Sequence, residues 1–155
     1  MQHPFKHRNL PRLLLQAREA VMAHTRPGLR AHGLSDQQWR VLRVLGEHGT
    51  VETGRVAREA FILGPSLTGV LARMERDALI TRERDPADQR RTVVRATARG
   101  KRLVAKLSGT VEAHYAWMEQ TLGTEQLGQL YALLDAVIAL ETPDDDSDSD
   151  GEQDA

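Results

Sequence analysis

The feature that most restricts this chain is an amphipathic helical pattern that runs, almost without a break, into a short arginine-rich hairpin. In GPSLTGVLARMERDAL, residues 64–79, Leu67, Val70, Leu71 and Met74 recur at three- and four-residue steps. Ser66, Thr68, Gly69, Arg73 and Arg76 fall on the opposite side, and Pro65 suits the first helical turn. Residues 80–84 and 91–96 then alternate and are β-branched, which predicts two strands. Between them DPADQ supplies a turn: Pro86 fixes φ, and Asp85 and Asp88 can accept from turn amides.

Helical patterns surround this pair. In LPRLLLQAREAV, Leu10, Leu13, Leu14, Ala17 and Val21 form one stripe. Pro27 is expected to kink or divide that helix, and Gly33 to stop it. A second helix opens at SDQQWRVLRVL, with Ser35 as N-cap and Gln38 completing a capping box. Trp39, Leu42 and Leu45 form its buried face, and Gly49 ends it. A short helix is predicted over residues 53–60. Thr97 is expected to cap a long helix reaching about Leu122, and Thr124 with Glu125 to open a last one, to about Glu141. The fold class is therefore mainly α with a small β-hairpin wing, a winged helix-turn-helix. Residues 35–96 make the lobe, residues 1–34 and 97–141 a helical dimerisation region, and residues 142–155 a disordered acidic tail.

Charge separates along the chain. Residues 141–155 hold eight acidic side chains and no Lys or Arg. The other 14 acidic residues share residues 1–140 with all 21 Lys and Arg, a balance of +7. Residues 54–102 alone carry twelve basic and six acidic side chains. The absence of cysteine excludes disulfides, thiolate metal sites and thiol chemistry. No apolar run approaches the roughly 18 residues of a membrane span, and the first residues lack an apolar leader, so a cytoplasmic protein is expected. There is no Gly-rich phosphate loop, no nucleophile constellation and no pair of carboxylates placed for catalysis, so neither an enzyme nor a cofactor is expected.

A helix entering the major groove needs small or hydrogen-bonding groups at its leading end and Arg further along, as Pro65, Ser66, Thr68, Gly69 and Arg73 provide. A wing with arginines at its tip, Arg90 and Arg91, can push a guanidinium into the narrow, electronegative minor groove. Clustering two arginines on a turn gains nothing for folding from their mutual repulsion. By contrast Arg82, Arg84, Arg95, Arg99 and Arg102 read equally well as solvated surface.

The segments LSDQQWRVLRVL and PSLTGVLARMERDALITRERDPADQRRTVV, with Thr97-x-x-Gly100, resemble the MarR family of bacterial transcription regulators. The Asp88-Gln89-Arg90 of the hairpin matches that family's wing signature. The resemblance implies that Asp88 orients the wing, Arg90 enters the minor groove, and residues 65–73 form the recognition helix. Ala78 departs from the glycine usual in the family, and Ala96 from its leucine. NLPRLLLQAREAVMAHTRP, HGLSDQQWRVLR and ILGPSLTGVLARME resemble more narrowly the regulators of homoprotocatechuate-degradation operons. This resemblance implies a homodimer on palindromic operator DNA, usually repressing, with a small aromatic acid effector of hydroxyphenylacetate or hydroxynicotinate type.

Dimerisation has separate support in two stripes, Leu10/Leu13/Leu14/Ala17/Val21 and Leu127/Leu130/Leu133/Leu134/Val137, which a winged-helix core does not need. For an effector carboxylate, a guanidinium on a mainly apolar wall is required. Arg18 lies beside the first stripe, Trp39 or Arg40 can close a pocket, and His7 and Asn9 can reach a ring hydroxyl. The plainer alternatives are that Arg18 pairs with an acid and that Trp39 is core. Two other functional readings stay open: a winged-helix protein–protein interaction module, which would not need Arg90, and a metal-responsive regulator. The six histidines form no HExxH and have no thiolate to join them.

Overall fold

The computed structural model describes residues 4–141, so the predicted acidic tail lies outside the described residues. The chain forms two compact units, one ending at Tyr115 and one beginning at Ala116. The order is α1 (Leu10–Ala31), α2 (Asp36–His48), β1 (Val51–Glu52), α3 (Thr53–Ala60), α4 (Gly64–Arg76), β2 (Ile80–Arg84), β3 (Thr92–Ala96), α5 (Ala98–Leu122) and α6 (Thr124–Ile138). This is the mainly helical fold with a small β-wing that the residue pattern predicts. No described helix is long and apolar enough to cross a membrane.

Local chemistry sets most of the boundaries. Ser35 Oγ accepts from the Gln38 amide and Gln38 Oε1 from the Ser35 amide, both at 3.1 Å, so the capping box at α2 is reciprocal. α1 closes with Gly33 at φ +72°, its amide donating to Arg30 O, while the Leu34 amide reaches back to Leu29 O at 2.9 Å. That is the Schellman pattern, in which glycine enters the left-handed region without a Cβ clash. Thr97 Oγ1 accepts from the Gly100 amide at 3.0 Å and starts α5. A Cβ on Gly100 would collide with the Leu79 carbonyl oxygen, so glycine lets this first turn press against the end of α4's connection to the sheet.

Three expectations are corrected. Pro27 does not divide α1: the helix is continuous from Leu10 to Ala31. The missing N–H and ring clash cost about 3 kcal/mol. They are offset because Leu29, 1 % exposed, anchors the last turn in the core and Arg26 ties the preceding turn to Asp36. α6 ends at Ile138, three residues short of the expected Glu141. A third strand, β1, was not anticipated, since two residues between Gly49 and α3 are too few to show alternation. It pairs with β3 (Val51 opposite Val94), giving the antiparallel order β1-β3-β2.

The core of the first unit gathers Leu29 and Leu34 with Trp39, Val41, Leu42 and Leu45 of α2. Val51, Val56, Ile62, Ile80, Val94, Leu107 and Val111 complete it around α4. Leu67, Val70, Leu71 and Met74 are all buried in it. Each such side chain contributes about 1.5–3 kcal/mol on burial, which fixes the rotation of α4 about its axis. The α1 stripe behaves differently: Leu10 is 51 % exposed, and Leu14 and Val21 are 37 % exposed. On α6, Leu127 is buried, whereas Leu130, Leu133 and Val137 are exposed.

Candidate nucleic-acid interface and effector cleft

With its apolar side buried, α4 turns Pro65, Ser66, Thr68 and Arg73 to solvent, and Gly69 is half-exposed among them. Thr68 Oγ1 donates to Gly64 O at 3.3 Å, leaving its oxygen lone pairs outward. Arg73 folds back toward Gly69, where a Cβ would stand 3.7 Å from Nη1. Among the described residues Arg73 makes no ion pair. The helix starts from a three-residue turn in which Phe61 holds φ +53°, unusual for an aromatic residue. Arg40 of α2 secures that turn: its Nη1 donates to Ala60 O at 2.7 Å and Phe61 O at 3.0 Å.

The wing tip is built around Asp88. Asp85 Oδ1 accepts from the Ala87 amide at 2.9 Å, and Asp88 Oδ1 from the Arg90 amide at 3.1 Å. These are Asx turns of the kind the sequence predicts. Asp88 then grips the Arg90 guanidinium through two oxygens, Nε at 3.1 Å and Nη2 at 3.2 Å, with Arg91 Nε at 3.7 Å. The side-chain bond from Arg90, then its amide, hold the Asp88 carboxyl below its ordinary pKa. The Arg90 side chain itself is 90 % exposed. It is therefore aimed by its neighbour yet open to an outside anion. At the base of the wing, Arg82 pairs with Glu75 at 3.2 Å, joining β2 to α4, and Arg95 pairs with Glu83 at 3.5 Å.

Within a single chain the five residues considered for a small acid do not line one hollow. His7 and Asn9 line an open hollow at the start of α1 with Phe5, Leu10, Leu13 and Gln16, and neither Arg18, Trp39 nor Arg40 lines it. Asn9 Oδ1 is occupied as the N-cap of α1, accepting from the Arg12 amide at 3.1 Å. Trp39 is 7 % exposed and belongs to the core, with the Arg43 guanidinium 5.9 Å from its ring centroid. Burial lowers the Arg40 pKa first, and the charge of Arg18 lowers it further.

Three residues that sequence reasoning passed over form a charge cluster beside Arg18. Arg26 of α1 donates to both oxygens of Glu19, at 2.7 and 2.9 Å, and to both of Asp36 on α2, the shortest at 3.0 Å. The Glu19 bond, then that to Asp36, raise the Arg26 pKa above its ordinary value. Arg18 Nη2 stands 3.9 Å from the same Asp36 oxygen. No spacing rule reveals this cluster, because Asp36 reaches it only once α1 crosses the start of α2. Among the described residues, no three His, Asp or Glu side chains gather to hold a metal ion.

The MarR family model matches residues 32–91, which begin just past α1 and span α2 to α4, β2 and the turn of the wing. The HTH-type transcriptional regulator FarR of Neisseria gonorrhoeae is 39 % identical over 136 residues, 88 % of this chain and 93 % of that protein. The homoprotocatechuate degradative operon repressor of Escherichia coli is 41 % identical over 134 residues, 86 % of this chain and 90 % of that protein. The crystal structure of NadR in complex with 4-hydroxyphenylacetate superposes with a TM-score of 0.80 at 39 % identity, covering 91 % of this chain and all of that one.

Proposed function

The chain belongs to the MarR family of ligand-responsive transcription regulators, and from that premise we propose that it works in the cytoplasm as a homodimeric repressor of palindromic operator DNA. Pro65, Ser66, Thr68, Gly69 and Arg73 read the major groove, and the wing reads the minor groove through Arg90 and Arg91, positioned by Asp88. A small aromatic or heteroaromatic acid, of hydroxyphenylacetate or hydroxynicotinate type, releases the DNA. No catalytic step is involved.

The observation that carries the reading is the hold of Asp88 on a guanidinium that is 90 % exposed. An arginine immobilised in this way loses less conformational freedom when an anionic groove takes it up. The exposed apolar stripes of α1 and α6 support the dimer. Two copies of α4 would then meet successive major grooves about 34 Å apart. The effector class rests on Arg18 and Arg40, two guanidiniums of which one acts on the other's charge, and either of which can bind a carboxylate. It also rests on relatives that include a homoprotocatechuate degradative operon repressor and a structure holding 4-hydroxyphenylacetate. His7, Asn9 and Trp39 complete the proposed effector set.

Fluorescence anisotropy with the duplex upstream of this protein's own gene tests the proposal. Submicromolar binding at low salt is expected, weakening steeply as salt rises. Arg90→Ala should lower affinity at least tenfold, and 4-hydroxyphenylacetate or 6-hydroxynicotinate should dissociate the complex. No complex at low salt, or an unaltered Arg90→Ala, would defeat it.

A further inference from the structure

Arg40 belongs to two places at once. On one side, Nη1 holds the last carbonyl of α3 and that of Phe61, which has a left-handed backbone. These carbonyls lie at the negative end of α3, in the turn that launches α4. On the other side, the charge of Arg18 works against its protonated form, while that of Asp36, 3.9 Å from Arg18, favours it. Arg40 Nε is buried and has no hydrogen-bond partner among the described residues.

These facts describe a side chain poised between two arrangements. While Nη1 clamps the turn, one donor is buried unpaired, an arrangement that proteins ordinarily avoid. If the guanidinium leaves, two carbonyls lose a charged donor. A second anion near Arg18, added to Asp36, changes that balance: it favours both guanidiniums and offers Arg40 Nε and Nη2 a charge-assisted pair of bonds. Because the guanidinium is a rigid plane, turning its Nε edge toward a carboxylate carries Nη1 away from Ala60 and Phe61.

We propose that Arg40 is the positioning residue through which a bound carboxylate acts on the recognition helix, by letting go of the Ala60 and Phe61 carbonyls and loosening the turn before α4. This rests on the carboxylate-effector reading given above and adds the route of its action. The route lies within one subunit and needs no initial change in how two copies pair. Ile62 provides a reporter, since its amide donates to Ala57 O at 3.0 Å within the same turn.

Hydrogen exchange of the full chain, followed over residues 57–66 by mass spectrometry, tests this together with calorimetric binding of 4-hydroxyphenylacetate and 6-hydroxynicotinate. In the wild type, a saturating probe should speed exchange in this segment about tenfold and leave α2 unchanged. Arg40→Gln should show the faster exchange without any probe, bind operator about tenfold more weakly, and gain less than twofold in exchange when a probe is added. Arg40→Lys, which keeps the charge but not the planar fork, should fall between them. A probe that binds the wild type while exchange stays the same or slows would overturn the coupling, as would wild-type exchange in Arg40→Gln. Binding of neither probe would remove the effector reading and the coupling with it. The clamp would then be judged on Arg40→Gln against the wild type alone.

Discussion

Ala78 holds φ at +57°, in the left-handed region, and its carbonyl accepts from Thr97 Oγ1 at 2.7 Å. An L side chain there costs about 1–2 kcal/mol, partly offset because alanine orders with less loss of entropy than glycine. Ala78→Gly should therefore raise the midpoint of thermal unfolding by roughly 1–3 °C, measured by calorimetry, with operator binding unchanged. A lower midpoint would show that the left-handed turn is not strained. The departure from the family's glycine at this position was visible in the sequence, but its backbone consequence was not. Residues whose partners lie two or three positions away were legible: Ser35 with Gln38, Asp85 with Ala87, and Asp88 with Arg90. Those whose partners are distant were not, and Arg26 with Asp36 is the plainest case, since nothing in either neighbourhood announces the other.

At the level of elements, hydrophobic periodicity and capping residues located the helices among the described residues, and alternation located both wing strands. The division of α1 expected at Pro27 is absent, because tertiary anchoring outweighs a local penalty, and periodicity passed over β1, whose identity comes wholly from its pairing with β3. The contact of α1 with α5 adds a pH dependence. The His114 ring stacks on His24 with centroids 5.0 Å apart, and Thr25 Oγ1 lies 3.3 Å from its Nδ1. Burial, then the charge of His24, lower the His114 pKa below 6.5. The unfolded chain therefore takes up this proton more readily than the folded one. Above pH 6.5 neither state is charged and the site contributes nothing; as pH falls below 6.5, stability is lost. The carboxylates lowered by arginine partners, Glu19, Glu59, Glu75 and Asp88, weaken the fold only at pH values nearer their own range. Melting temperature should thus drop between pH 7 and pH 5.5, and His114→Gln should flatten that drop. A variant as pH-sensitive as the wild type would assign the effect elsewhere.

For the whole molecule, the exposed apolar side chains of α1 and α6 decide whether one chain or two is the working unit. Leu133 is 66 % exposed, so a charge there should leave the subunit folded and disfavour pairing. Leu133→Glu should sediment as a monomer at micromolar concentration with an unchanged helical circular dichroism signal, and should lose most of its operator affinity. A dimer of normal affinity would place the contact on another surface. The short strand β1 bears on the same scale. Val51 and Glu52 are hydrogen-bonded to β3 of the wing, and Glu52 is also the residue from which α3 springs. A stretch of two residues is thus a shared axle: whatever tilts α3 must also turn the root of the hairpin. On the proposed reading, α3, which leads into the recognition helix α4, and the wing consequently cannot be retuned one at a time, and a shift in preferred groove geometry would have to arise as a joint adjustment of both.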